Sequence, residues 1–423
     1  MDVFVIGSGG REHAIIWSLL KNKSIKKIYC APGNGGISEI AECVDINICD
    51  NAKLLKFVKE KNIDYTIVGP ETPLVNGIVD LFISENLKIF GPCRNCAMLE
   101  GSKIFSKAIM QKYNIPTAKA KAFNNPEKAI DFVKKNTWAR VIKADGLAAG
   151  KGVYVCNDQE DAINAIIEIM INKKFGKSGD NILIEEKLIG EEASFLVFSD
   201  GFNVKPMLSC QDHKAVFDND KGPNTGGMGA YSPAPIVTKN IRAQVMEKII
   251  APIIRAMQIE GTPYKGVLYA GLMITKDGPS VIEFNCRFGD PETQPLLSLL
   301  KSDLLELITA CINGTLGNTT VAFKNEAACS VVMASGGYPG TYEKGKLITG
   351  LVEANKLPNL IVFHSGTKKI GSDLYTDGGR VLSVNGIGNS IDEAIRNAYI
   401  GVNKIHFENS HFRKDIGMKA LGR

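Results

Sequence analysis

The sequence predicts an α/β protein in which an open parallel sheet is followed by a region of paired strands and helices and then by a smaller α/β unit. Three observations carry this. From residue 2 to about 92, short apolar runs alternate with helix-like segments: DVFVIG, EHAIIWSLL, KKIYCAPG, CVDINI, AKLLKFVKEKN, IDYTIVGPE and LKIFGP. Strand then helix, repeated, is the order of a parallel sheet covered on both faces. In the middle, residues 138–156 read WARVIKADGLAAGKGVYVC, two strand-like runs around a glycine loop. Near Ala322 a new unit begins, with ACSVVMASGGYPG, LIVFHSG, the run 378–382 and a helix-like segment over 390–405.

Length and composition bound the rest. A chain of 423 residues has room for roughly two to four domains, each with its own core. Its 44% hydrophobic and 22% charged residues are those of an ordinary soluble protein. No apolar run approaches the ~20 residues a membrane span needs. The chain opens directly on a strand-like run, so a cytoplasmic protein with neither membrane nor secretory targeting is expected. Ten scattered cysteines read as reduced, mostly buried thiols. Cys93-x-x-Cys96 is the one close pair, and it lacks the second pair or the histidines that a structural zinc site wants. The net charge of +5 is spread along the chain with no basic block interleaved with aromatics. That argues against a nucleic-acid partner and allows anionic small molecules.

In the first hundred residues, Gly7-Ser8-Gly9-Gly10 and Gly69-Pro70-Glu71 fall at the carboxyl ends of strands, where ligands of such sheets sit. Gly7-x-Gly9 opens a helix as a dinucleotide fingerprint does. The third fingerprint position is Glu12, however, and Cys30-Ala31-Pro32 stands where a ribose-binding acid is expected, which counts against NAD. Free backbone N–H groups at the loop, with the charge of Arg11, suit a phosphorylated substrate. A tight turn with no ligand is the alternative, and His13 reads as a packed or capping residue.

The middle loop is not a Walker sequence: Gly146 to Gly150 encloses only three residues, Gly152 follows Lys151, and a strand comes next. It reads as a hairpin-borne flap over 145–152 that closes on phosphates, with Lys143 and Lys151 as point charges. Downstream, ILIEEK over 182–187 reads as a strand, and Glu186, Leu188 and Glu192 have a spacing that suits main-chain recognition of adenine and a carboxylate on ribose. Solvated acids beside a strand end are the alternative. The stretch 209–235, SCQDHKAVFDNDKGPNTGGMGAYSPAP, is long for an idle loop and reads as a folded lid rather than a linker. A helix over 241–258 and strands over 266–274 and 281–285 follow.

The second of these strands runs into VIEFNCRFGDPETQ, residues 281–294. The alternation in VIEFN puts Glu283 and Asn285 on one face, two residues apart. Two such oxygens can share one hard cation, and Mg²⁺ takes one or two protein oxygens and leaves its other positions to water and phosphate. Arg287 adds a guanidinium on the same face, and the turn 289–292 carries Asp290 and Glu292. Taken alone, the stretch also reads as a strand entering a polar turn.

Together, VIGSGGREHA, IVGPE, LEGSKIFSK, VIKADGLAAGKGV, GEEASF, QDHK, GPNTGGMGAYSPAP, YAGLM, IEFNCRFGDPETQP and GGYPG resemble the ATP-grasp ligases, and closely the phosphoribosylamine–glycine ligase (glycinamide ribonucleotide synthetase) family. The resemblance runs from residue 3 to about 417, ten motifs in order. It implies an N-terminal phosphoribosyl domain over 1–102, a two-lobed ATP-grasp region over 103–320 with a mobile lid at about 120–188, and a C-terminal domain over 321–423 that closes the cleft. It also implies a C–N bond-forming ligase of de novo purine biosynthesis. Glycine is joined to 5-phosphoribosylamine through glycyl phosphate, giving glycinamide ribonucleotide, ADP and phosphate. The implied cofactors are ATP and Mg²⁺ or Mn²⁺, and the implied partners are these small molecules, with no nucleic acid and no membrane; a monomer is expected, although the sequence itself does not give the oligomeric state.

Residue by residue, the resemblance has Glu283 and Asn285 hold the metal. Lys103 and Lys143 meet the phosphates under the flap of Gly150, Lys151 and Gly152. Glu186, Leu188 and Glu192 hold adenosine. Arg287, Asp290 and Asp212, with Lys143, act near the reacting groups; Gly9, Gly10, Arg11 and Glu71 lie near the phosphoribosyl group, and Arg380 is a further contact. Arg140, Ala215 and Lys187 depart from the family pattern, and the strand YAGLMIT lacks the second metal-binding Glu that many ATP-grasp enzymes carry.

Overall fold

The strand Asp2–Gly7 buries every residue from Val3 to Ile6, as a strand covered on both faces must. In the computed structural model, which describes residues 1–148 and 151–422, it is the centre of a five-stranded parallel sheet. The order is Glu42–Cys43, Lys27–Pro32, Asp2–Gly7, Tyr65–Val68, Ile89–Phe90. The chain winds outward to one edge, returns to the centre and winds to the other. The switch falls between Asp2–Gly7 and Tyr65–Val68, so the turns after Gly7 and after Val68 meet at the sheet's carboxyl end.

The helix Lys103–Lys112 leads into a second, antiparallel sheet of four strands in the order Ala120–Phe123, Ile182–Glu186, Ala139–Ala144, Val153–Val155. The helices Pro126–Lys135 and Gln159–Ile166 pack on it around a core of its own that includes Val133, Ile142, Ile166 and Ile184. Ala139–Ala144 and Val153–Val155 pair as a hairpin, so residues 145–148 and 151–152 lie at the end where the chain joins the two strands.

A third sheet, of Val204–Pro206, Glu191–Asp200, Lys265–Thr275 and Gly278–Asn285, is also antiparallel. Its period-2 alternation divides it between two cores. Phe195, Val197, Leu268 and Ala270 face the helical run 239–259 and share a cluster with Phe4 and Ile6 of the first sheet. Leu196, Phe198, Val267 and Tyr269 face the other way, toward Leu304 and Ile308 of the helix Leu304–Asn313 and toward Val3 and Val5. The first and third sheets are thus set against each other by the alternating residues of two strands.

The stretch 209–235 is not a lid. Gln211–Asp212 and Gly229–Ser232 are strands of the sheet of the C-terminal unit, which continues through Ala327–Ser335, Arg380–Gly388 and Leu360–His364. Gly229 pairs with Val331 and Ser232 with Ala328, and Met228 and Tyr231 are buried beside Val331 and Met333. The reason it escaped a sequence reading is that a four-residue strand set among Gly, Pro and Asn shows no period, and its partner lies about a hundred residues further on. Among the described residues no helix is long and apolar enough to cross a membrane.

Candidate active site

The first, second and third sheets and the C-terminal sheet converge on one cleft of about 850 Å³. Its floor is the end of Gly278–Asn285. There Glu283 stands opposite Gly271, next to a bulge in the ladder, and a Cβ at Gly271 would touch Glu283 Cγ at 3.3 Å. Burial alone would raise the Glu283 carboxyl's pKa, but Lys214, Lys143, Lys103 and Arg287 outweigh it and hold it below the ordinary value. Glu283 is therefore an anion ringed by cations. Asn285 Oδ1 accepts a hydrogen bond from Arg287 Nη2 at 3.1 Å and keeps a second lone pair.

The lysines are held in place by groups the sequence reading missed. Lys143 Nζ pairs with Glu185 Oε2 at 2.7 Å and donates to the Ile282 carbonyl at 2.9 Å, while Lys107 Nζ takes Glu185 Oε1 at 2.9 Å. All three side chains are buried. Adjacent residues of a strand face opposite ways; here Glu185 turns to these lysines, while the Glu186 carboxylate accepts the Lys119 N–H at 2.8 Å. Glu186 lines the cleft all the same, as do Leu188 and Glu192 on the connector and strand after it. Lys107 follows Lys103 by one helical turn, a spacing that was legible.

Lys103 opens its helix, and Asp145 at the root of the flap caps that same helix, accepting from Ser102 Oγ at 2.9 Å and from the Ile104 N–H at 3.0 Å. Lys103 Nζ donates to the Gly146 carbonyl at 2.9 Å, and burial lowers its pKa in spite of Glu283. Lys151 Nζ reaches the Pro339 carbonyl at 3.0 Å, so the flap touches the C-terminal unit; Gly152 lines the cleft, and Gly150 lies outside the described residues.

On the far side of Glu283, Lys214 Nζ pairs with Glu192 Oε2 at 2.7 Å. Asp212 is pushed up to about 7 by burial first and then by Glu292, Glu192 and Glu283, against the pull of Lys214. Glu292 accepts from Tyr269 Oη at 2.7 Å and from Ser194 Oγ at 3.2 Å.

Arg287 is fixed by two acids. Nε donates to Glu71 Oε2 at 3.2 Å and Nη2 to Glu100 Oε1 at 2.7 Å. Burial would raise the Glu71 carboxyl, but Arg287 and Arg11 bring it below the ordinary value; Glu100 is raised, by burial, with Arg287 limiting the rise. Arg380, first residue of its strand, joins the C-terminal unit to the floor. Its Nη1 donates to the carbonyls of Gly226 and Asp290 at 2.8 and 2.7 Å, and its Nη2 meets Asp290 Oδ2 at 3.1 Å. Burial would raise Asp290, and Arg380 and Arg11 more than offset it.

The glycine loop works differently from expectation. The Gly9 N–H is not free: it donates to Glu12 Oε2 at 2.6 Å, and Glu12 Oε1 takes Arg11 Nε at 2.5 Å. The Glu12 side chain fills the switch point between Asp2–Gly7 and Tyr65–Val68, where a Cβ at Gly7 or Gly69 would come within 2.6 Å of its Cδ. Those glycines make room for a carboxylate rather than for a phosphate. Gly9 and Gly10 sit behind the lining, with Gly10 packed under Gln294 and Ser365, while Arg11 and Glu71 line the cleft and Arg11 Nη1 donates to the Phe288 carbonyl at 3.1 Å. His13 is buried, its Nδ1 accepting the His364 N–H at 2.9 Å.

Comparison with known proteins agrees with this architecture. Family models described as the phosphoribosylglycinamide synthetase N domain, ATP-grasp (A) domain and C domain match residues 1–100, 101–293 and 328–419. A phosphoribosylamine–glycine ligase of Caldanaerobacter subterraneus subsp. tengcongensis is 49% identical over 98% of this chain and 99% of its own. The crystal structure of the phosphoribosylamine–glycine ligase of Thermotoga maritima superposes with a TM-score of 0.86 at 33% identity, covering 98% of this chain and 100% of that one. A biotin carboxylase from Campylobacter jejuni, at 15% identity and TM-score 0.75 over 99% of this chain and 94% of its own, shares the fold alone. The cleft is thus that of an ATP-grasp enzyme, and the chain belongs to the phosphoribosylglycinamide synthetase family.

Proposed function

We propose that the cleft joins glycine to 5-phosphoribosylamine at the expense of ATP, through glycyl phosphate, to give glycinamide ribonucleotide, ADP and phosphate, as a step of de novo purine biosynthesis. The observation that carries this is the floor of the cleft: Glu283 is held as an anion among Lys103, Lys143, Lys214 and Arg287. A carboxylate must be brought against a triphosphate, and fixed cations in a closed site make that encounter possible. The family name of a relative 49% identical over nearly the whole chain supports the choice of substrates.

Glu283 and Asn285 are two hard oxygen donors, a set that fits Mg²⁺ or Mn²⁺, and when bound the ion supplies charge neutralisation of the phosphates. Lys103 and Lys143 offset further phosphate charge. The 145–152 flap excludes water from an acyl phosphate that water destroys. The unit at about 120–188, packed on its own core, moves as the lid. Glu186, Leu188 and Glu192 border the adenosine, with the connector's main chain meeting the base because the Glu186 carboxylate is engaged at Lys119. Arg287 and Asp290 orient the reacting groups. Asp212, at about 7, is suited to take the proton that the amine loses on acylation. Arg11, Glu71 and Arg380 surround the phosphoribosyl group, with Gly9 and Gly10 shaping the turn behind them. The ten free thiols support a reducing cytoplasm.

The test is incubation with Mg-ATP and glycine, with freshly generated phosphoribosylamine added or omitted, following ADP and phosphate. Turnover that needs both substrates is expected. ADP release with other acids or amines would reassign the substrates, and ATP binding without turnover would remove the ligase reading.

A further inference from the structure

None of the roles above belongs to Glu100, yet it sits at the joint of the floor. The helix Arg94–Gly101 brings its carboxylate against the two residues that follow Asn285. Glu100 Oε2 accepts the Cys286 N–H at 2.7 Å and lies 3.1 Å from Cys286 Sγ, while Oε1 accepts from Arg287 Nη2 at 2.7 Å. The side chain is 9% exposed. A buried carboxylate between a backbone amide and a guanidinium fixes both, since either partner left alone there would be an unsatisfied buried group.

The count of Arg287 donors shows what this fixing achieves. A guanidinium has five N–H groups. Nε serves Glu71, Nη1 serves the Phe288 carbonyl at 3.3 Å, and Nη2 serves Glu100 and Asn285. Among the described residues one N–H on Nη1 remains without a partner and can meet a ligand. Glu100 engages the same nitrogen that holds Asn285 Oδ1, so it sets the rotation of the guanidinium and the direction of the Asn285 amide together. Its bond to the Cys286 N–H anchors the backbone between those two residues.

We infer that Glu100 is a positioning residue of the ligation, holding the Cys286 amide and the Arg287 guanidinium so that Asn285 and Arg287 address the same reacting groups. This rests on the proposed function. Failure of that reading is separate, because it appears in the wild-type protein before any variant is made.

Three variants test the inference: Glu100→Gln, Arg287→Ala and the two combined, assayed by ADP release over titrations of Mg²⁺ and each substrate, with thermal unfolding alongside. Loss of a supporting residue of this kind lowers metal affinity or activity roughly 10- to 100-fold. Glu100→Gln is expected to lower kcat by about that factor, to raise the half-saturating Mg²⁺ and to leave the KM for ATP within about twofold. In the Arg287→Ala background the same change should add no more than about twofold, because residues acting as one unit are non-additive. Glu100→Asp keeps the charge but is too short for both contacts, and should fall between wild type and Glu100→Gln. Losses that multiply across the cycle, or kcat unchanged in Glu100→Gln, would overturn the inference. So would Glu100→Gln and Glu100→Asp both failing to fold, since Glu100 would then be structural.

Discussion

Glu283→Gln keeps the shape of the floor and removes one charge from it. In the native cleft the carboxylate is surrounded by Lys214, Lys143, Lys103 and Arg287, which together overcome the penalty of its burial. With an amide there, the four cations lose the one carboxylate they share, and the metal site keeps two oxygens, both now neutral. Lys103, already lowered by burial, loses the neighbour that most opposes that fall. Removal of one preorganised electrostatic group lowers turnover about 10²- to 10³-fold, or about 2.7–4 kcal/mol in the barrier. The measurement is the initial rate of ADP release at saturating ATP and glycine over a Mg²⁺ titration. A loss of at least about a hundredfold is expected, with a higher half-saturating Mg²⁺. A rate equal to wild type at low Mg²⁺ would refute both the ligand role and the charge argument beneath it.

Three further predictions follow from other parts of the cleft and its supports. Lys143→Ala leaves Glu185 paired with Lys107 alone, and should raise the KM for ATP or lower turnover about tenfold or more with circular dichroism unchanged; equal kinetics would count against the ATP role. Gly69→Ala drives a methyl group into the Glu12 side chain, and should destabilise the fold by about 1–3 kcal/mol in urea unfolding and raise the KM for phosphoribosylamine; unaltered values would mean that Glu12 can move freely. His213, buried with neither ring nitrogen hydrogen-bonded among the described residues, is lowered to about 3 by burial first and then by Arg413 and Lys419. A folded-state value below the unfolded one means that the unfolded chain binds a proton the folded chain refuses, so stability is full above pH ~6.5 and falls as pH drops from there toward 3. Removing the group with His213→Leu should flatten urea-derived stability by about 1.4 kcal/mol per pH unit between pH 6 and 4; an unchanged slope would show that the ring is protonated in the folded state.

Much of the fold and the candidate site was legible in order along the chain. Parallel strands such as DVFVIG bury both faces and so appear as unbroken apolar runs, and the Glu283–Asn285 pair appears because side chains two apart on a strand share a face. The supports were harder to see. Glu100 was inside a motif that was read for Lys103, and Glu185 was passed over for its neighbour Glu186, because local pattern cannot say which of two adjacent acids turns inward. The glycine loop reads in sequence as free N–H groups for a phosphate; in the structure Glu12 takes the Gly9 N–H and fills the space beside Gly7 and Gly69, and no spacing rule connects Glu12 to Gly69.

What the sequence determined by itself was periodic and short-ranged: the open parallel sheet, the hairpin that brackets the glycine loop, and a strand that ends in two hard oxygens beside a guanidinium. Those features are written in residues a few positions apart and governed by backbone geometry. Tertiary structure alone decided the rest. It set Glu71 and Glu100 on Arg287 from about two hundred residues away, moved part of the 209–235 stretch into the C-terminal sheet, and brought Arg380 to Asp290. Each of these is a contact between surfaces that become neighbours only when the shared cores close, and burial then sets which carboxylates stay charged, so neither partner carries a local mark of the other.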